Sequence, residues 1–524
     1  MNYRDTLNLP KTDFPMKAGL PQKEPEILKA WESDRIYDKI RNAKIGKKMF
    51  VLHDGPPYAN GNIHMGHALN KILKDIIVKM KTMQGFDSPY IPGWDCHGLP
   101  IEHQVVKNLG QKAKTTSQDE IRQLCREYAK KFIELQKQDF KRLGVFGDYD
   151  NPYLTMSHEY EAGIVKAFGD LFKKGFIYKG LKPIHWCGNC NTALAEAEIE
   201  YDDNHVSPSV YVKFPVVGKN DEFVLIWTTT PWTLPANVAI SLHPDFQYIF
   251  IENGKEKYVV AEGLFEKICE DTKIGFSKGK SIPKTELEKL SVKHPFVADR
   301  EVKIVFGTHV TLDTGTGCVH TAPGHGQEDY LMSVEYNLPI ISPVDKNAVF
   351  TEEAGEWKGM HVFKANEKII EKMKENNSLL YEGKVKHSYP VCWRCKKDVI
   401  FRATPQWFMN LQKDGLKETA FKAIKDVKWV PDWGLDRMSN MLGNRPDWCL
   451  SRQRAWGVPI PAFYCKNCGE TFLSADSIDY FAELVEKDGV DVWFTKGVDE
   501  LISKNAKCQK CGASDFSKEN DILD

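Results

Sequence analysis

Apolar positions along the chain fall into short runs and helical stripes. Met49-Phe50-Val51-Leu52 is an apolar run of the length a buried parallel strand needs. His53 to Asn62 is dense in Gly, Pro and Asn and reads as a loop. Leu69, Ile72, Leu73, Ile76, Ile77 and Met80 then recur at i, i+3, i+4 and i+7, which predicts a helix, and Gly85 predicts its end. His64-Met65-Gly66-His67 thus falls on the first turn of a helix that follows a strand and a loop. That is the phosphate-binding geometry of a doubly wound sheet, because the first-turn N–H groups of a helix are unpaired. Two histidines add donors there, and Gly66 removes a side chain where a nucleotide must come close. An ordinary helix with two surface histidines fits the pattern equally well.

Further along, Phe223 to Trp227 reads as a second buried strand. It ends in Thr228-Thr229-Thr230-Pro231-Trp232-Thr233-Leu234-Pro235, and β-branched threonine is common at such a place without any function. Ser477 to Lys487 reads as a helix. No apolar run approaches 18 residues, so no membrane-spanning helix is expected. Met1 to Pro15 has no apolar segment of the secretory kind.

Composition narrows the class. At 524 residues the chain has room for about three or four domains. With 42% apolar and 27% charged residues it reads as globular, which excludes a disordered or fibrous protein. The 71 basic residues against 72 acidic ones, net charge -1, argue against a globally basic nucleic-acid binder. The basic excess between Lys107 and Arg142 reads first as a solvated helix face.

Thirteen cysteines without a secretory signal are not expected to form disulfides. Eight of them form four C-x-x-C pairs: Cys187/Cys190, Cys392/Cys395, Cys465/Cys468 and Cys508/Cys511. A C-x-x-C turn presents two thiolates on one knuckle, and two knuckles close a tetrahedral zinc site. A redox pair is the alternative for any one knuckle, and four pairs in one chain make it less attractive. Two structural Zn2+ ions are therefore expected, one on the last two pairs and one on the first two. The latter would clamp the neck of an inserted domain, which the chain leaves at one knuckle and re-enters at the other.

Three long segments carry a resemblance. The first is Asp54-Gly55-Pro56-Pro57-Tyr58-Ala59-Asn60-Gly61 leading into His64-Met65-Gly66-His67. The second is Gly93-Trp94-Asp95-Cys96-His97-Gly98-Leu99-Pro100-Ile101-Glu102. The third is Trp448-Cys449-Leu450-Ser451-Arg452-Gln453-Arg454-Ala455-Trp456-Gly457-Val458-Pro459. The H-x-G-H run resembles the first signature of the class I aminoacyl-tRNA synthetases. The neighbouring segments are similar to the isoleucyl-tRNA synthetase family, and the likeness covers essentially the whole chain.

The resemblance implies a fold: an α/β chain with a doubly wound parallel sheet (a split Rossmann-type catalytic domain), an inserted β-rich editing domain and zinc modules. The expected boundaries are 1–48 for an N-terminal extension, 49–186 for the first catalytic half, 187–395 for the editing insertion with its zinc-bound neck, and 396–524 for the start of the returning half with the second zinc module. It also implies a reaction. Isoleucine attacks the α-phosphate of ATP, supplied with Mg2+, and the acyl group moves to tRNA(Ile). His64 and His67 would bond the ATP phosphates, Asp95 the substrate ammonium, and Pro56 would wall the isoleucine side chain. The residues alone favour Asp95 as a loop cap.

In the insertion, the resemblance implies hydrolysis of valyl-tRNA(Ile). Thr228, Thr229, Thr230 and Thr233 would position a water and the ribose hydroxyls. Asp329 would bind the amino group of valine, and His320 would exclude the larger isoleucine. His325 receives no role and reads as a structural histidine. A second pocket is needed because one methylene in an apolar pocket contributes only roughly 1–3 kcal/mol of discrimination. A cytoplasmic monomer with no membrane partner is expected. The K-M-S-K-S signature and the anticodon-reading region are absent from the sequence, so an N-terminal piece of a longer enzyme is expected. A chain that retains only editing hydrolase or tRNA-binding activity is the alternative.

Overall fold

The computed structural model describes residues 3–8, 12–13, 17–443, 445–502 and 506–523. Part of the 1–15 stretch read for a leader lies outside the described residues, as does Asp524. The fold is mixed α/β, and it divides into two compact units: Met1–Lys166 with Ala455–Ser517, and Ala167–Arg454 with Lys518–Asp524. Among the described residues no helix is long and apolar enough to cross a membrane.

The first unit contains a parallel strand–helix–strand arrangement. Met49 bridges Asp87 and Tyr58 bridges Asp95, both in parallel. Gly93–Trp94 pairs in parallel with Tyr153–Leu154. The crossovers are the helix Met65–Met83 and, further on, the helices Leu99–Leu109 and Gln118–Arg142. The first helix starts where the sequence predicts. His64 is its N-cap in extended conformation, and Gln84 and Gly85 (φ 95°) end it.

Its apolar stripe does not turn inward, however. Leu69 is 63% exposed and Ile76 56%, while the buried positions are Lys71 and Val78. Met49–Leu52 is likewise not a buried strand. It makes only the isolated bridge, with Met49 62% and Val51 66% exposed. A parallel strand becomes buried when helices cover both of its faces. Periodicity identifies the element and carries no information about what covers it.

The core of this unit joins Ala59, Trp94, Ile101, Cys125, Phe140 and Trp456. Along the basic stretch, Lys130, Lys131, Lys141 and Arg142 face solvent as expected. Arg122 does not: it is buried and paired with Asp491 at 2.7 Å. The predicted late helix spans Ala475–Asp488, capped by the Ser474 hydroxyl.

The second unit is β-rich. Two antiparallel ribbons frame it, Ile177–Cys187 with Ile400–Met409 and Ile199–Pro215 with Leu379–Cys392. The second ribbon is the edge of a six-stranded sheet that also contains Glu222–Thr228, Glu256–Ala261, Tyr248–Asn253 and Ser277–Ile282. A four-stranded sheet, with Ala239–Leu242 flanked by Glu301–Phe306 and Cys318–Thr321, shares its core. The expected strand Phe223 to Trp227 lies within Glu222–Thr228, with Val224, Leu225 and Ile226 buried.

Candidate functional site

In the first unit the helix N-terminus fixes both signature imidazoles. His64 Nδ1 accepts the Gly66 N–H at 3.0 Å, and His67 Nδ1 accepts the His64 N–H at 3.3 Å. With each Nδ1 used as an acceptor, each neutral ring carries its proton on Nε2 and is a donor there. The rings stack at 3.9 Å. Burial, then His64 and Lys71, hold His67 below the usual histidine range, so it is the neutral ring that offers its N–H. A Cβ on Gly66 would lie 2.9 Å from the His64 ring, which is why the position between them is glycine.

The loop before this helix is tied down by residues that sequence reasoning did not single out. Asp54 is buried and receives Lys71 and Lys74 of the helix, each at 2.5 Å. Burial alone would push the Asp54 carboxyl up, but the two ammonium groups outweigh it and hold it below the usual carboxylate range. The buried Gln136 amide donates to the carbonyls of Tyr58 (3.1 Å) and Gly61 (2.9 Å) and accepts the Trp94 indole N–H at 3.0 Å. A lysine inside an apolar stripe, and a glutamine on the apolar face of a long helix, were the available signals.

Pro56 lies in that loop, half-buried. Asp95 joins the loop through its backbone: its N–H donates to Pro57 O and its carbonyl accepts the Ala59 N–H, both at 2.9 Å. Its Oδ1 accepts the His97 N–H at 3.4 Å, the cap geometry considered from sequence. The 54–61 loop, the helix start and Asp95 thus belong to one bonded frame.

The second unit gathers a polar cluster at the strand end. The Thr230 N–H donates to Thr228 Oγ1 at 3.1 Å, and the Thr228, Thr230 and Thr233 hydroxyls follow one another at 3.3 and 3.4 Å. Thr229 lies between Thr228 and Thr230, half-buried. The strand register places His320 opposite Ile240. Its Nε2 meets Thr233 Oγ1 at 2.8 Å, and its Nδ1 meets the Asn237 amide nitrogen at 2.8 Å. That same nitrogen donates to Ala239 O, so it is a donor to Nδ1 and the His320 proton sits on Nε2. Burial holds the ring down to about 3, so it is neutral at any working pH. Asn237 was missed because it is 83 positions from its partner.

Asp329 stands in the first turn of the helix Gln327–Tyr336, and its Oδ2 accepts the Ala322 N–H at 2.8 Å. Burial pushes its carboxyl up to about 7. Gly326 has to be small, since a Cβ there would lie 2.9 Å from Asp329 Oδ2. His325 is buried, bonded by Nδ1 to Phe401 O at 2.9 Å and set edge-on to Trp232.

The eight paired cysteines form two tetrads, Cys187, Cys190, Cys392 and Cys395 in the second unit and Cys465, Cys468, Cys508 and Cys511 in the first. Within each, all Sγ atoms lie within 4.8 Å of one another. Sulfurs of facing knuckles approach to 3.5 Å (Cys187–Cys395 and Cys465–Cys511) and 3.6 Å (Cys468–Cys508). A tetrahedron with Zn–S of ~2.3 Å has edges of ~3.8 Å, so both sets fit a tetrathiolate metal ion. The tetrads differ in exposure: Cys187 and Cys392 are buried, whereas Cys511 is exposed.

The family model for class I tRNA synthetases (I, L, M and V) matches residues 26–524. A curated relative named isoleucine–tRNA ligase from Petrotoga mobilis is 55% identical over 527 residues, covering 100% of this chain and 57% of its own length. The protein of the same name from Natranaerobius thermophilus is 54% identical over 531 residues, with the same two coverages. The chain thus spans 57% of the length of these two relatives. Among solved structures, the LeuRS-tRNA-LeuAMS ternary complex of Agrobacterium radiobacter K84 is similar over 97% of this chain and 58% of that one, with 19% identity and a TM-score of 0.39.

Proposed function

This chain belongs to the class I tRNA synthetases (I, L, M and V), and on that premise we propose that it carries the ATP- and amino-acid-binding part of an isoleucine–tRNA ligase, together with a hydrolytic unit that removes valine from tRNA(Ile). The observation that carries the synthetic part is the pair of Nε2–H donors at the start of the helix Met65–Met83, in the frame that holds Asp95. An isoleucine carboxylate oxygen attacks the α-phosphorus of ATP, the bond to the bridging oxygen breaks, and pyrophosphate leaves. His64 and His67 donate to the phosphate oxygens, where charge grows as the transition state forms. Asp95 accepts from the substrate ammonium in a charge-assisted bond, and Pro56 contributes an apolar wall. Mg2+ enters with ATP. Isoleucine-dependent exchange of pyrophosphate into ATP by the full-length protein tests this reading; no exchange with isoleucine would refute it.

In the hydrolytic unit, His320 is bonded at both ring nitrogens and neutral, so it takes no proton from water. That supports a role as a wall of the pocket. The Thr228, Thr229, Thr230 and Thr233 cluster holds the attacking water and the ribose hydroxyls. Water adds to the ester carbonyl, the bond to the ribose oxygen breaks, and valine leaves with its ammonium on Asp329. His320→Ala is then expected to open the pocket, so that isoleucyl-tRNA(Ile) is deacylated at a rate comparable to valyl-tRNA(Ile). Deacylation assays with both charged tRNAs check this, and untouched isoleucyl-tRNA would return His320 to a structural role.

The metal in both tetrads is proposed to be zinc. Elemental analysis of protein purified without chelator is expected to give two zinc per chain, and less than one per chain would refute the assignment. Thiolate knuckles of this kind need a reducing compartment, which supports a cytoplasmic protein; sedimentation at micromolar concentration tests the expected monomer.

A further inference from the structure

We propose that Trp456 is a positioning residue of the amino-acid site, setting the Asp95 carboxylate through the backbone of residues 96–98. The proposal rests on the reading of Asp95 as the partner of the substrate ammonium.

Trp456 is fully buried in the core of the first unit. Its indole Nε1–H donates to the carbonyl of Cys96 at 2.6 Å, and its own carbonyl accepts the N–H of Gly98 at 3.1 Å. One side chain and one backbone group of the same residue thus grip the chain on both sides of His97. The N–H of His97 is the one that Asp95 Oδ1 accepts. The Trp456 ring also meets the His97 imidazole edge-on at 5.0 Å.

Trp456 is itself anchored from its other side. Its N–H and that of Ala455 donate to one carboxylate oxygen of Glu102, at 2.8 and 2.9 Å. The guanidinium groups of Arg122 and Arg126 lie 5.3 and 5.2 Å from its ring. On the other side of Asp95, the backbone is fixed by Pro57 and Ala59. The carboxylate therefore stands between two anchored backbones. The turn itself uses Gly98 at φ 87°, a conformation that side chains resist.

Removing the indole donor leaves the Cys96 carbonyl unpaired in the core and loosens the Cys96 side of the turn, while the Gly98 N–H keeps its bond to the carbonyl of residue 456. A bond of 3.4 Å from His97 to Asp95 is weak enough to change when that turn shifts. The substrate ammonium senses this directly, while the ATP phosphates and the hydrolytic unit do not.

The test is Trp456→Phe in the full-length protein, beside a variant in which Trp456 is replaced by 3-benzothienylalanine. The latter keeps the ring shape and puts sulfur where the N–H was, so it decides the question if the Phe variant does not fold. The isoleucine KM in pyrophosphate exchange is expected to rise about tenfold, the scale of one lost buried hydrogen bond, with the ATP KM and valyl-tRNA deacylation within about twofold of the parent. Isoleucine KM, ATP KM and deacylation changing together would mark a merely structural role and overturn the proposal. An unchanged isoleucine KM in the benzothienyl variant, while Asp95→Asn raises it, would overturn it too. An unchanged isoleucine KM in Asp95→Asn would instead remove the reading on which the proposal stands.

Discussion

Asp329→Ala is expected to lower deacylation of valyl-tRNA(Ile) by about a hundredfold or more, because on the proposed role Asp329 pairs with the valine ammonium, and removing one partner of a buried ion pair costs about 3–5 kcal/mol. Among the described residues the carboxylate has little other employment: its hydrogen bond to the Ala322 N–H, 2.8 Å long, uses Oδ2 and leaves the second oxygen for a ligand ammonium. Burial gives the same residue a pH signature. Its carboxyl is pushed up from 3.8 to about 7, so in the free protein a neutral acid prevails below that pH and the carboxylate above it. Only the carboxylate pairs with an ammonium. The kcat/KM for valyl-tRNA deacylation reports the ionisations of both the free protein and the free substrate, so it is expected to climb from pH 6 to about pH 7 as Asp329 ionises and to turn over towards about pH 8, where the valyl α-amino group loses the charge that Asp329 binds. His320, held at about 3, does not titrate in that range and contributes neither limb. A flat profile across that range would remove Asp329 as the titrating group. Loss of activity in Asp329→Ala with folding and metal content intact would keep its role in binding.

Several of these features were legible in the sequence because they are local. A helix start is written within four residues, and His64 to His67 begin the helix they were expected to begin. The C-x-x-C spacing forces two sulfurs onto one knuckle, and the knuckles pair as expected, the first two together and the last two together. What depended on register was not legible. Asn237 acts on His320 because a strand pairing sets His320 across from Ile240, and nothing near Asn237 in the sequence records this. Trp456 reaches Cys96 across 360 positions. Burial also failed to follow from periodicity: the helix Met65–Met83 has the stripe of a packed helix, yet it buries Lys71 for the sake of Asp54 and leaves Leu69 and Leu73 in solvent.

Replacing either signature histidine should separate binding from rate. His67→Ala in the full-length protein is expected to lower the kcat for isoleucyl-adenylate formation by about a hundredfold, the usual cost of losing one donor aimed at developing charge. The isoleucine KM should stay within about threefold, since in the proposed role the imidazole acts on phosphate rather than on the amino acid. The two rings also cap the helix, because His64 Nδ1 accepts the Gly66 N–H and His67 Nδ1 accepts the His64 N–H. Loss of a cap costs about 1 kcal/mol of stability whatever the chemistry. His64→Asn distinguishes the two effects. Asparagine is a good cap, so the helix keeps its start, but its short amide does not reach as far as an imidazole Nε2. If adenylation falls in His64→Asn while thermal stability holds, the imidazole acts on ATP. If rate and stability fall together in His67→Ala, and both recover in His64→Asn, then the histidines are caps and the phosphate role is wrong. A tenfold rise in isoleucine KM with kcat unchanged would contradict the assignment from the other side, since uniform weakening of binding leaves the chemical step untouched.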